Sequence, residues 1–183
     1  VLELTRSGMN FNYTMGTFGT RSPLSYAAAY GSRLVITYLL KAVADPNYYQ
    51  GFDIGPLRQA IQTRDSDIVK MFIDAGADVN GIAKHTRPST PLMACMHARP
   101  ESTAPARIDV IKMLLKAGAN PNICGSHENP ALHEILSSKK PLKTKVEIAE
   151  LLIGADEGDP CNSNDAMIIQ NYLNPKKKIK LNN

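Results

Sequence analysis

The sequence predicts an all-α solenoid: a row of helix-turn-helix units stacked side by side, with short fingers projecting between them. Three observations predict it. The chain writes nearly the same ten residues twice, MFIDAGADVN from Met71 and MLLKAGANPN from Met113. Both join apolar residues at helical spacing to a small-Gly-small turn and end in Asn. Four other stretches open on a small or polar residue followed by Pro: SPLSYAAAYGSR from Ser22, GPLRQAIQTRDS from Gly55, TPLMACMHA from Thr90 and NPALHEILSS from Asn129. Finally, aligning on Gly76 and Gly118 puts Val43 and Gly8 at the same turn position, so that the four anchors lie 35, 33 and 42 residues apart. A base period near 33 with insertions accounts for these gaps, and self-similarity at such a period is the mark of stacked repeats.

Each unit starts at its Pro-containing stretch. Ser, Thr or Asn there caps free N–H groups, and Pro is tolerated at the first helical position. A short helix follows, then a turn, then a second helix. The first unit, 1–12, holds only the end of a second helix, which predicts a natural chain that continues upstream. Full units are expected over 13–47, 48–80, 81–122 and 123–156, so the array spans 1–156. A capping helix is expected over 157–173, around NDAMIIQNYLN, and a basic tail over 174–183. The second helices carry apolar stripes: Ile68, Met71 and Phe72 in one, Ile108, Ile111, Leu114 and Leu115 in another. Gly76 and Gly118 supply the left-handed residue that closes a helix. Asp78 or Asn120, followed by Asn80 or Asn122, bonds the turning backbone beyond it. Val43 stands in the glycine's place, and a β-branched residue at positive φ is an outlier, which predicts a locally different turn there. In VEIAELLIGADEGDP the glycine, Gly154, comes one residue early. Insertions at 98–106 and 137–144 lengthen two inter-helix turns, and NYTMGTFGTRS and HTRPST lengthen two fingers.

These stretches resemble the ankyrin repeat. TPLM at Thr90, SPLSYAA at Ser22, NPALH at Asn129 and GADVN at Gly76 match that family's TPLHxAA first helix and GADxN finger start. The resemblance covers about 1–156. It implies an ankyrin-repeat solenoid with β-hairpin or loop fingers, and it implies binding of another protein through the finger tips and the concave side of the first helices. It also places His133 where the family's TPLH histidine makes structural hydrogen bonds.

Candidate contact residues follow from where the aromatics fall. Phe11, Tyr13, Met15 and Phe18 lie in the first finger, and Tyr48, Tyr49 and Phe52 in the second. Aromatics exposed on rigid fingers make good interface anchors. On the first helices, Tyr30, Thr63 and His97 are expected at one equivalent outward position, with Gln62 beside them, all lining the concave side. The partner expected is a protein, in an adaptor or effector role within a larger intracellular protein. Two alternatives are a docking arm for a catalytic domain outside this segment and a membrane or nucleic-acid tether through Lys176, Lys177, Lys178 and Lys180.

The remaining sequence features narrow the function classes. Those four lysines account for the whole net charge of +4. A neutral body argues against a nucleic-acid-binding domain, which spreads positive charge over one face. No apolar run approaches the roughly 18 residues of a membrane span. No G-x-S-x-G, H-E-x-x-H or P-loop pattern is present, so no enzymatic activity and no cofactor is expected. Cys124, His127 and His133 fall short of a four-ligand zinc set, so no metal is expected. Cys95 lies in the apolar part of a first helix, as a buried structural thiol does. Three cysteines without a C-x-x-C pair suit a reducing compartment, which predicts an intracellular location.

Overall fold

A computed structural model of the chain describes residues 10–14, 21–50, 53–63, 65–82, 89–97, 106–124, 131–138 and 140–155. Eight helices follow one another there: α1 (Pro23–Ala29), α2 (Arg33–Lys41), α3 (Pro56–Thr63), α4 (Ser66–Asp74), α5 (Pro91–His97), α6 (Ala106–Lys116), α7 (Ala131–Ser137) and α8 (Leu142–Gly154). They form four pairs, α1 with α2 through α7 with α8. The first helices pack in one row, α1 on α3, α3 on α5 and α5 on α7. The second helices α4, α6 and α8 pack in another. This is the expected all-α solenoid, in which each unit is held by its neighbours. The described parts of the fingers between pairs are turns and extended backbone, and no helix among the described residues is long and apolar enough to cross a membrane.

Helix starts are set by local chemistry. Ser22 Oγ accepts the Ser25 N–H at 3.1 Å, and Thr90 Oγ1 accepts that of Met93 at 3.3 Å. Asp65 caps α4 by accepting the Asp67 and Ile68 amides. Gly55 has no side chain to cap α3. Buried Asp53 stands in by accepting the Gly55 N–H at 3.2 Å and that of Ser22 at 3.4 Å, tying the starts of α1 and α3 together. Pro opens α1, α3 and α5 as expected; α7 is described from Ala131, and Pro130 lies outside the described residues.

The core repeats at i, i+1 and i+4 of α4, α6 and α8: Ile68, Val69 and Phe72; Val110, Ile111 and Leu114; Ile148, Ala149 and Leu152; α2 buries Ile36 alone. The sequence stripe is therefore rotated by part of a turn. Val69 and Val110 are fully inside, while Met71, Ile108 and Leu115 are only partly buried against the core. Longer side chains reach the core from the edge of the stripe, whereas the short valines need the inner position. This register also corrects the last unit. Leu152 matches Phe72, so Gly154 falls two positions early rather than one. It stays within α8, and the following Ala155 keeps a right-handed φ of −102°.

Val43 overturns the expected local difference. It adopts φ 63°, beside 82° and 88° for Gly76 and Gly118. The hydrogen bonds are the same in all three turns. Val43 N donates to Leu40 O and Ala44 N to Leu39 O, as Gly76 N does to Ile73 O and Ala77 N to Phe72 O. The repeat imposes its turn on an unsuited residue, and Val43 takes it at a position 79% exposed. A left-handed residue with a Cβ costs about 1–2 kcal/mol, of which glycine's extra chain entropy would return a part. Val43→Gly is therefore expected to raise the unfolding free energy by about 1 kcal/mol, measured by urea denaturation followed by circular dichroism.

Cys95 is buried, as expected, with its Sγ–H donating to Pro91 O at 3.5 Å. Cys124 is partly buried, with its Sγ 3.7 Å from Asn122 O, and Cys161 lies outside the described residues. The expected capping helix and basic tail, with Lys176, Lys177, Lys178 and Lys180, lie outside the described residues.

Candidate partner-binding site

The fingers are rigid for a reason visible in their backbone. Each contains an Asx turn in which a side-chain oxygen accepts the N–H two residues on: Asn10 from Asn12, Asp45 from Asn47, Asp78 from Asn80 and Asn120 from Asn122, at 2.8–2.9 Å. In the first three pairs the second residue also reaches across to the next unit. Asn12 Oδ1 accepts the Asp45 N–H at 2.9 Å. Asn47 Oδ1 accepts that of Asp78 at 2.6 Å, while its Nδ2 donates to Gly76 O at 3.1 Å. Asn80 repeats this with Asn120 N at 2.8 Å and Gly118 O at 3.0 Å. One ladder of asparagines thus fixes every finger against its neighbour.

On this frame the candidate aromatics take different places. Tyr13 is 45% exposed in the first finger, whereas Phe11 is partly buried against the core. Tyr48 and Tyr49 are half-buried, and the Tyr49 hydroxyl donates to Ile82 O at 3.2 Å, bracing the next finger. Tyr30 is 79% exposed at the C-terminal end of α1. Its ring stacks on Tyr26, with centroids 6.4 Å apart and planes 7° off parallel, and the Arg21 guanidinium lies 5.7 Å from the Tyr26 ring centre. Gln62 is exposed. The Thr63 hydroxyl is turned to its own helix, donating to Ala60 O at 2.7 Å. Tyr30 and Thr63 share a register, seven residues past Pro23 and Pro56. His97 is six past Pro91, level with Gln62 rather than with Thr63. Met15, Phe18, Phe52 and His127 lie outside the described residues.

Beside the second finger lies a cleft of about 240 Å³. Pro46, Tyr49, Ile54, Leu57 and Pro91 give it apolar walls. Arg58 and Asp78 give it charge. The Arg58 side chain is pressed into the array, and its Nε and Nη1 are buried without a hydrogen-bond partner. Burial pushes its pKa down, partly offset by the nearby Tyr49. Arg58 occupies the third position of α3, where Ser25, Met93 and His133 stand in the other first helices. Ser25 Oγ is also buried without a partner. The sequence reading passed over Arg58. The signal was a charged residue at a position otherwise held by Ser, Met and His.

A second charged group ties the first two units together. Arg33 of α2 donates to both carboxylate oxygens of Asp65, at 2.9 and 2.7 Å, and its Nη1 lies 2.9 Å from Asp67. Partial burial pulls the Asp65 carboxyl up. The hydrogen bonds from Arg33 and from the Ile68 and Asp67 amides outweigh this and hold it below the ordinary carboxylate range. The pair is exposed and serves as a surface brace between units. Near it, Leu34, Val35 and Tyr38 of α2 are exposed.

No curated protein matches the chain. A family model described as ankyrin repeats, in three copies, matches residues 24–124. Among solved structures, the chain is similar to an ankyrin repeat domain from Acinetobacter baumannii. The two are 24% identical, the match covers 84% of this chain and 73% of that one, and the TM-score is 0.67. That likeness speaks for the fold. The family model spans more than half of the chain, the same left-handed turn recurs at Val43, Gly76 and Gly118, and the asparagine ladder links successive fingers. The chain belongs to the ankyrin-repeat family.

Proposed function

We propose that this array recognises another protein, gripping it with the first finger and the end of α1. Ankyrin repeats are in general protein-interaction modules, and the observation that carries the reading here is Tyr30. A tyrosine 79% exposed on a folded helix end, held in one orientation by its stack on Tyr26, presents a large apolar ring at little further entropic cost. Tyr13, from the same unit, adds a second exposed ring on a finger pinned by Asn12. Tyrosines so placed are the residue type that dominates interface energetics.

Tyr49 is a poor probe of this reading, because its hydroxyl braces the neighbouring finger and its loss would disturb the fold. Tyr13 and Tyr30 are clean probes. The double variant Tyr13→Ser, Tyr30→Ser is expected to unfold at the wild-type temperature. Its affinity for a partner captured on the wild-type chain is expected to fall at least about tenfold, the effect of losing one hot-spot ring. Titration of the purified partner by calorimetry measures it. Unchanged affinity in the folded double variant overturns this surface as the grip.

A further inference from the structure

The Arg58 cleft holds a feature that the packing of the array does not explain. A guanidinium carries five donors, yet Nε and Nη1 of Arg58 have no hydrogen-bond partner, while the residue as a whole is only partly buried and lines the cleft. Ion pairs among the described residues join Arg33 to Asp65 and Asp67, and Lys70 to Asp74, and none reaches Arg58. Asp78 shares the cleft, but its Oδ1 is taken by the Asn80 N–H and its own N–H is held by Asn47. A buried polar group left unsatisfied in a native fold calls for an explanation, and a missing ligand is one. The cleft supplies the room. Its volume of about 240 Å³ is below the range of about 300–1,000 Å³ of small-molecule sites. It suits the end of one or two side chains better than a whole metabolite. Arg58 and Asp78 bring opposite charges to it, and Pro46, Ile54, Leu57 and Pro91 bring apolar surface.

We infer that this cleft takes an acidic side chain of a partner protein, with the carboxylate on Arg58, an N–H donor of the same segment toward Asp78, and an adjacent apolar residue against the prolines. The inference rests on the protein-recognition reading and adds to it a chemical class of partner. Two features favour a peptide over a free anion. The Asp78 carboxylate repels an ion that brings only negative charge, whereas a peptide brings an N–H with its carboxylate. The apolar walls have nothing to hold on acetate or phosphate. Burial holds the Arg58 pKa down, and a paired carboxylate would act against that shift.

The test uses the full chain, an array of capped decapeptides each made in an Asp/Glu form and a matching Asn/Gln form, and sodium acetate and sodium phosphate as competitors. Arg58→Met keeps the long stem and removes the charge. It is expected to unfold at the wild-type temperature or above, since Nε and Nη1 have no hydrogen-bond partner to lose. Its affinity for the acidic peptides is expected to fall at least about tenfold, with the amide forms bound as before. Arg58→Lys, which keeps the charge and loses the fork, is expected to fall between the two, and it covers the case in which Arg58→Met does not fold. Equal binding of acidic and amide forms, or of wild type and Arg58→Met, overturns the inference and leaves the tyrosine surface standing. Displacement of the acidic peptides by acetate or phosphate alone at millimolar concentration gives the cleft to free anions and overturns the peptide assignment. A lower unfolding temperature for both variants makes Arg58 structural and overturns it too. If wild type binds no peptide of either form while its captured partner still depends on Tyr13 and Tyr30, only this inference fails. If that dependence is absent as well, both fail.

Discussion

Replacing Phe72 with alanine is expected to lower the unfolding free energy by about 3–5 kcal/mol, the range for deleting a buried ring and leaving its cavity. Phe72 is 0% exposed and the largest of the fully buried side chains. It sits at the end of the Ile68, Val69, Phe72 stripe on α4, which packs on α3 within its unit and on α6 in the next. Its own carbonyl accepts the Ala77 N–H that closes the Gly76 turn. A cavity there therefore loosens two interfaces and sits beside a third feature, the turn itself. In a structure whose stability is roughly a sum of unit and nearest-neighbour terms, damage at a central unit uncouples the units on either side. Total stabilities are of the order of 5–15 kcal/mol, so the loss takes a large share of whatever the chain has. Urea denaturation followed by circular dichroism is expected to show an earlier midpoint and a shallower transition, as the two halves cease to unfold together. A loss below 1 kcal/mol would mean that α4 is not packed between two neighbours.

The period of the repeat was legible because it rests on residues with one physical use. Gly76 and Gly118 stand where φ is positive, and the Asx residues of Asp78 and Asn120 bond the N–H two places on. Such local rules read directly from sequence. Val43 was misread for the complementary reason: its propensity argued for a different turn, but three hydrogen-bonded neighbours in an otherwise regular unit decided the outcome. The core was legible to within part of a helical turn, since periodicity gives the face but not which of two adjacent apolar residues is deepest. The candidate site was less so. Exposure of Tyr13 and Tyr30 and partial burial of Phe11 depend on how fingers fold against their neighbours, which composition does not encode. Arg58 shows the same limit, because its missing partners appear only when α3 is packed against the second finger.

Asn80→Ala is expected to cost about 1–3 kcal/mol, the worth of two hydrogen bonds at about 1 ± 0.5 kcal/mol each with the remainder from the loosened finger. The side chain does two things at once. Its Oδ1 accepts the Asn120 N–H, and its Nδ2 donates to Gly118 O, so one amide spans the closing turn of the next unit. Only a group with a donor and an acceptor side by side makes both bonds. Asn80→Asp keeps the acceptor but sets a second carboxylate oxygen against the Gly118 carbonyl, so it is expected to be no better than alanine. Asn47 spans Gly76 and Asp78 in the same geometry, so Asn47→Ala is expected to match Asn80→Ala within about 0.5 kcal/mol, the scatter of equivalent independent sites. Position separates this effect from a general loss of stability. In Asn80→Ala the amide hydrogen of Asn120 is expected to exchange with solvent faster relative to that of Asp78, and in Asn47→Ala the order is reversed. Equal acceleration of both amides in each variant would mean that the asparagines act on the whole fold rather than as a ladder from one finger to the next.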